Sequence, residues 1–247
     1  MKYFTTPAQR IGWLFVLATA AGVLSVAALA GPLGDEDLLS AVRADQTMVL
    51  LGQMLIVVML AAMVGTAVLL WPVLRRHSDT LAIGYVLART LEVVVIAVGV
   101  VAGLLLIPLS WEVADRGATL AGADAVASTL KAAGDWTGYL GAQMVFSISA
   151  LLLNWGLFRY RLVPRWLSVW GLVGVPLMFA SGLLVMVESL HSSEATLNLL
   201  VVPLAVQEMA MALWFIVKGF SETVDREPAA EVPAPRSAPA PEPAHAR

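Results

Sequence analysis

The sequence contains no cysteine, and only 13% of its 247 residues are charged. The lack of cysteine excludes disulfides, thiolate metal sites, cysteine-ligated iron–sulfur clusters and thiol redox chemistry. Soluble domains carry about 25% charged residues, so this chain has about half the usual density of charge. Because 59% of its residues are hydrophobic, the composition is typical of an integral membrane protein.

Catalytic and cofactor motifs are also missing. His77, His191 and His245 lie in predicted loops or in the C-terminal tail, so no pair of histidines can ligate haem inside the membrane. The sequence has no HExxH zinc motif, no GxSxG nucleophile elbow and no P-loop. It also has no basic domain for nucleic acid. We therefore expect no metal, no cofactor and no nucleic-acid partner, and an enzymatic function has the least support.

Long hydrophobic runs make up most of the chain. A run of about 18 apolar residues or more can cross the hydrocarbon core of a bilayer as a helix. Six segments reach this length, and they lie near residues 11–30, 49–74, 81–109, 137–158, 166–188 and 197–218. The sequence therefore predicts an all-α fold, a polytopic bundle of six transmembrane helices within residues 1–220. Residues 221–247 are rich in proline and alanine, which predicts a disordered cytoplasmic tail.

The placement of lysine and arginine predicts the orientation of the bundle. Basic residues precede the first span and follow the second, fourth and sixth spans, as Lys2, Arg10, Arg75, Arg76, Arg159, Arg161, Arg165, Lys218 and Arg226. The opposite loops hold only Arg43, Arg116 and Lys131 against a surplus of acidic residues. Because loops rich in lysine and arginine stay in the cytoplasm, we expect both termini to lie inside the cell (N-in, C-in).

The third span contains two full charges, Arg89 and Glu92, among apolar residues. At about 100° per residue these charges share one helical face with Tyr85, Gly99 and Gly103. A Gly-x-x-x-Gly pair allows another helix to approach closely, so this face is expected to pack inside the bundle. A charge facing lipid near the bilayer centre would cost about 2.5–3.5 kcal/mol on insertion scales.

The sixth span adds Gln207 and Glu208 at a similar depth. Together with Tyr85, Arg89 and Glu92 they form the candidate buried polar site. If both glutamates and Arg89 converge, their net charge is −1, and this charge raises the proton affinity of one carboxylate. A proton, a cation or a cationic substrate can balance it. The same residues can also form a structural clasp that fixes helix register and binds nothing.

Three further expectations concern local structure. Asp79 and Asp135 are predicted N-caps of the third and fourth spans. Gln53 and Asn154 are expected to form hydrogen bonds between helices. The alanine-rich outer loop before the fourth span is expected to form a short surface helix.

Four phrases of the sequence carry a family resemblance: LLGQMLIVVMLAAMVGTAVLLWPVLRRHS, LAIGYVLARTLEVVVIAVGVV, YRLVPRWLSVWGLVGVPLM and PLAVQEMAMALWFIVKGF. Together they resemble the family called domain of unknown function 4386, a set of bacterial multi-helix integral membrane proteins. The resemblance covers about residues 8–220. It implies a helical membrane fold and a bacterial inner (plasma) membrane location, but no reaction, substrate or cofactor. The signature positions that it implies are the face with Tyr85, Arg89 and Glu92, the turn at 164–166, and the pair Gln207-Glu208.

Two functions fit these observations. The first is a small solute- or proton-binding transport bundle, in which Arg89, Glu92 and Glu208 hold the ligand between the third and sixth spans. The alternative is a non-catalytic membrane scaffold or regulatory subunit that binds another protein through the tail or the outer loop. The lipid bilayer surrounds the protein in both cases.

Overall fold

The computed structural model describes residues 6–116, 122–187 and 194–221, and these residues form helices and short connections without strands. The helices are α1 (Pro7–Gly34), α2 (Leu38–Ala44), α3 (Gln46–Arg75), α4 (Asp79–Arg116), α5 (Ala123–Tyr139), α6 (Phe146–Arg159), α7 (Arg165–Val187) and α8 (Glu194–Val217). A π-helical stretch, Leu140–Val145, joins α5 to α6. The predicted tail after Ser221 lies outside the described residues.

Six stretches within the described residues are long and apolar enough to cross a membrane, which confirms the predicted number and order of spans. They are Pro7–Gly34, Gln46–Arg75, Asp79–Asp115, Ala123–Arg159, Arg165–Val187 and Leu199–Val217. Large apolar side chains such as Leu87, Val98 and Leu213 are more than half exposed (63%, 54% and 59%). Because so much outward apolar surface suits lipid and not water, the chain is a multi-pass membrane protein whose helices contact the bilayer.

The fourth span begins earlier than the hydrophobic run that starts near residue 137. α5, the π-helical stretch and α6 form one continuous span, and α5 packs on α4. The alanine-rich segment was therefore predicted correctly as a helix but wrongly as a separate surface element. Its hydropathy is weak because it contains polar residues such as Lys131 and Asp135, which pair with each other at 2.9 Å.

Both predicted N-caps were wrong. Asp135 lies inside α5, where it accepts the hydrogen bond of Lys131 one turn earlier. Asp79 is the first residue of α4 and pairs with Arg75 at 3.1 Å. The cap of α4 is Ser78, whose hydroxyl accepts a hydrogen bond from the Leu81 backbone N–H at 3.2 Å. Serine and aspartate are both favoured N-cap residues, because each can accept a hydrogen bond from the first turn of the helix. The sequence alone therefore did not show that Ser78, and not Asp79, is the cap.

The six spans are arranged as a ring. Going around it, α1 packs on α3, α3 on α4, α4 on α6 and the π-helical stretch, α6 on α7, α7 on α8, and α8 on α1. Closure is tight because Gly12 of α1 lies directly against the Ala212 carbonyl of α8, and the Gln9 side-chain amide donates to the Ile216 carbonyl at 3.3 Å. The first and last spans therefore meet, and the two ends of the described chain lie at the same face of the bundle.

That shared face carries the basic residues. Arg75 ends α3, Arg159 ends α6, Arg165 begins α7, and Lys218 follows α8. The largest apolar core of the bundle lies just beneath them and includes Ile11, Leu70, Leu74, Leu157 and Phe215. The assignment of this face to the cytoplasm stays a prediction of the positive-inside rule.

Candidate buried polar site

Arg89 and Glu92 form a buried ion pair on α4. Their side chains are 4% and 3% exposed, and Nη1 of Arg89 donates to the two carboxylate oxygens of Glu92 at 3.2 and 3.0 Å. Residues three positions apart lie on the same side of a helix, so the chain sequence itself brings the two charges together. A buried pair of this kind is stable only when its remaining polar groups also find partners.

Glu92 has a further donor, Ser149 on α6. The Ser149 side chain is fully buried, and its hydroxyl oxygen lies 3.1 Å from Oε2 of Glu92 and 2.9 Å from the Phe146 carbonyl. The single hydroxyl proton is shared between these two acceptors. Sequence reasoning missed Ser149, since one small polar residue in a span carries no signal that separates it from ordinary helix-packing serines. The structure thus provides Glu92 with partners from two helices.

Two aromatic rings flank the Arg89 guanidinium. Its central carbon lies 5.8 Å from the ring centre of Tyr85 and 5.5 Å from that of Phe146. Both distances are within the range of cation–π attraction. The Tyr85 hydroxyl and Nε of Arg89 are buried and have no hydrogen-bond partner among the described residues. Arg89 is therefore held by one carboxylate and two rings.

Glu208 of α8 faces this pair without joining it. The carboxylate is close enough to interact electrostatically with Arg89 and Glu92. No ion pair or hydrogen bond joins Glu208 to another side chain in the part of the chain that the structure describes. It is half-buried. The two carboxylates are thus unequal, because Glu92 is fully paired and Glu208 is not.

A cavity of about 180 Å³ brings the three charged residues together at the middle of the ring. Every span contributes to its wall, through Phe15, Ala18, Thr19, Met59, Met63, Thr66, Arg89, Glu92, Ile96, Ala142, Phe146, Met178 and Glu208. Most of these side chains are apolar. The cavity is therefore mainly apolar, and its charged side chains come from α4 and α8, which lie on opposite sides of the ring.

The π-helical stretch lies beside this cavity. Ala142 lines it, and Gly141 lies so close to Ile96 that an added Cβ would be 2.5 Å from the Ile96 Cγ1 atom. Gln143 accepts a hydrogen bond from the Ser181 hydroxyl of α7 at 3.3 Å. π-helical segments recur at functional sites, because they change the direction of side chains within a helix. The apolar sequence of this stretch did not predict it.

Gln207 belongs to a different hydrogen-bond network. Its side-chain nitrogen donates to Oδ1 of Asn154 at 3.1 Å and to the Leu167 carbonyl at 3.2 Å, which joins α8 to α6 and α7. The interhelical role predicted for Asn154 is confirmed by this bond. Of the candidate residues, the structure brings together Tyr85, Arg89, Glu92 and Glu208, and it places Gln207 in this neighbouring network.

The two glycines of α4 are close-contact positions within the chain. A Cβ added at Gly99 would collide with the Thr137 hydroxyl of α5, and one added at Gly103 would collide with the Gln53 side chain of α3. The Gly-x-x-x-Gly face is therefore covered by two different helices. Gln53 itself is buried, and its amide oxygen has no hydrogen-bond partner among the described residues. The prediction that Gln53 forms an interhelical hydrogen bond is therefore wrong for the described residues.

The described residues contain no group of three or more His, Cys, Asp or Glu side chains placed to hold a metal ion. What the ring does provide is a cavity lined by one guanidinium and two carboxylates. The fold and this cavity define the class, a multi-pass helical membrane protein with an ionisable cluster inside its transmembrane bundle.

The chain belongs to the family described as Domain of unknown function (DUF4386), whose model matches residues 11–219. This match confirms the resemblance carried by the four sequence phrases. No curated protein and no solved structure matches the chain. The family description names no reaction, so the function has to be argued from the cavity and its charges.

Proposed function

We propose that the protein binds a proton or a small solute at the Arg89, Glu92 and Glu208 cluster and carries it across the bacterial inner membrane. The observation that supports this most is the unequal pairing of the two carboxylates. Glu92 accepts hydrogen bonds from Arg89 and Ser149, whereas the Glu208 carboxylate lines the cavity and has no such partner among the described residues. Glu208 is therefore the group that a ligand would neutralise.

Charge balance gives the physical reason. With all three groups ionised, the cluster has two negative charges and one positive charge, so its net charge is −1. An uncompensated charge in a low-dielectric interior costs several kcal/mol, and a proton or cation bound at Glu208 removes that cost. Ionisable groups that face a cavity inside transmembrane segments are typical of proton and solute pathways.

The depth of the cluster fits a transport site. Arg89 lies about 15 Å along the axis from the start of α4 at Asp79, and Glu208 lies about 14 Å from the end of α8 at Val217. In a hydrocarbon core of about 30 Å both residues are near the midplane. Transporters place their binding sites at this depth, so that the ligand can be reached from either face in turn.

The test is proton flux in proteoliposomes that carry a pH gradient and a trapped pH-sensitive dye. Wild type is expected to dissipate the gradient, and Glu208→Gln is expected to lose this activity at unchanged abundance and melting temperature. Glu36→Gln is a matched control, because Glu36 is an exposed carboxylate in the turn before α2. If Glu208→Gln keeps wild-type flux of protons and of every solute tested, the proposed function is wrong.

A second candidate function is a membrane scaffold or regulatory subunit. It is favoured by one observation, since Arg89 and Glu92 neutralise each other and a structural clasp needs nothing more. A scaffold would bind its partner through the tail or through the outer segment around α5. Truncation after Ser221 tests this. Loss of the cellular phenotype on truncation, together with a wild-type phenotype for Glu208→Gln, would favour the scaffold over the transport bundle.

A further inference from the structure

We propose that the solute held in the central cavity is a small organic ammonium ion, with its charge at Glu208 and its apolar body against the phenylalanine and methionine side chains of the wall. This inference rests on the proposed function and specifies the chemical class of the ligand. It comes from four properties of the cavity: the sign of its charge, the chemistry of its wall, its size and its connection to a second cavity.

The charge selects a monovalent cation. Arg89, Glu92 and Glu208 are the charged side chains that line the cavity, and α1, α3, α6, α7 and the π-helical stretch add no titratable group to its wall. Arg89 is already bound by Glu92, so an anion would meet a neutralised guanidinium and an unpaired carboxylate. One positive charge balances the cluster.

The wall favours an organic cation over a metal ion. Phe15, Phe146 and Met178 face the cavity, and aromatic faces and polarisable thioethers attract organic ammonium groups. A hard metal cation such as Ca²⁺ takes six to eight oxygen ligands. Besides the carboxylates, the described side chains of the wall offer only the hydroxyls of Thr19 and Thr66 as oxygen ligands, which are fewer than such an ion requires.

The size of the cavity limits the ligand. Its volume is about 180 Å³, and an apolar protein cavity of about 150 Å³ is known to hold benzene. A ligand of about six to eight non-hydrogen atoms is therefore the expected size by the same comparison. Benzylammonium meets this limit, whereas tetraphenylphosphonium is far too large.

A second cavity, of about 150 Å³, lies between the central cavity and the end of the bundle formed by α2 and α5. Ile96 lines both cavities, and we expect its side chain to separate them. The wall of the second cavity also includes Gln53 and the Lys131–Asp135 ion pair. The buried Gln53 amide oxygen lacks a hydrogen-bond partner among the described residues, so it is an acceptor available to an ammonium N–H. This second cavity is a route by which a cation can approach Glu208.

The experiment is isothermal titration of the purified full-length chain in lipid nanodiscs with benzylammonium and with benzyl alcohol. The two probes have the same shape and number of non-hydrogen atoms, and they differ in charge. Wild type and Glu36→Gln are expected to bind benzylammonium saturably and to bind benzyl alcohol at least about tenfold more weakly, because the alcohol cannot neutralise the half-buried Glu208 carboxylate. Glu208→Gln is expected to lose at least about tenfold in affinity for benzylammonium for the same reason.

Equal binding of the two probes would overturn the inference, since it would indicate apolar partitioning alone. Unchanged benzylammonium affinity in Glu208→Gln would overturn it as well. Met63→Trp, which fills the cavity without removing a charge, is a second variant in case Glu208→Gln does not fold, and it is also expected to lose binding. If proton flux depends on Glu208 but wild type binds no benzylammonium, the ammonium inference fails while the proposed function stands. If neither flux nor binding depends on Glu208, both fail.

Discussion

Replacement of Arg89 by glutamine is expected to lower the free energy of unfolding by about 3–5 kcal/mol, because removal of one partner of a buried ion pair leaves the other charge uncompensated. The structure places this variant at the upper end of that range. Among the described residues, Arg89 is the only basic side chain that lines the cavity, so its loss leaves the Glu92 and Glu208 carboxylates facing each other across the same space. Ser149 remains as a donor to Glu92, but a neutral hydroxyl offsets only part of a full charge.

Glu92→Gln is expected to cost less than Arg89→Gln, because Arg89 keeps the nearby Glu208 carboxylate as a counter-charge. The double variant Arg89→Gln with Glu92→Gln is expected to be more stable than the sum of the single costs predicts, by about 1–3 kcal/mol. The reason is that neither residue of the pair then remains as a charge without its partner. Each value can be measured by denaturant or thermal unfolding in matched detergent micelles, followed by circular dichroism.

Arg75→Gln is the matched control for these measurements. Arg75 forms an ion pair of similar length with Asp79, but the two side chains are 61% and 71% exposed. Exposed pairs contribute about 0–1 kcal/mol. If Arg89→Gln destabilises the bundle no more than Arg75→Gln does, or if the two single costs add to the double cost within about 0.5 kcal/mol, the argument from a coupled buried pair is refuted.

Three further predictions concern packing and access. Gln207→Leu is expected to destabilise the bundle by about 0.6–1.7 kcal/mol, from the average to the largest value measured for interhelical hydrogen bonds in a membrane protein. An unchanged unfolding free energy in micelles would contradict its role in joining three helices. Gly99→Ala is expected to lower the melting temperature because the new Cβ collides with the Thr137 hydroxyl. Gly138→Ala adds an atom with nothing within 4 Å of it, so its melting temperature should match or exceed that of wild type. Equal effects of the two variants would show that close approach at Gly99 is unimportant. Ile96→Ala shortens the side chain that lines both cavities and is therefore expected to speed proteoliposome flux. The expected cost in stability is about 2–5 kcal/mol. Flux below wild type at matched abundance would argue against a partition at this residue.

The spans and the buried ion pair could be predicted from the sequence because both depend on local information. Hydrophobic length determines which segments enter the membrane, and the spacing of Arg89 and Glu92 on one helix determines that they can pair. Both features follow from residues close together in the chain. The similar depth of Glu208 could also be predicted, since its distance from the helix end gives its depth, but its convergence on Arg89 was only one hypothesis.

Features that depend on how helices meet could not be predicted in this way. Ser149 is a partner of Glu92 only because α6 packs on α4 at that height. The π-helical stretch before α6 includes Gly141, which packs closely on Ile96, and this contact between helices is not visible in the sequence. Gln207 shares the depth of Glu208, but depth does not specify direction, and its side chain turns toward Asn154 instead of Arg89.

The different directions of Gln207 and Glu208 bear on whether the charged cluster is a clasp or a binding site. Neighbouring residues on a helix point about 100° apart, so when Gln207 is fixed between α6 and α7 its neighbour Glu208 is turned toward the cavity. The neutral Gln207–Asn154 contact already holds α8 in register, and Arg89 already neutralises Glu92. A clasp therefore has no need of the Glu208 charge, and a neutral residue at this position would avoid placing a half-buried carboxylate beside Glu92. Binding of a proton or an ammonium ion gives that charge a role, which favours a binding site over a clasp.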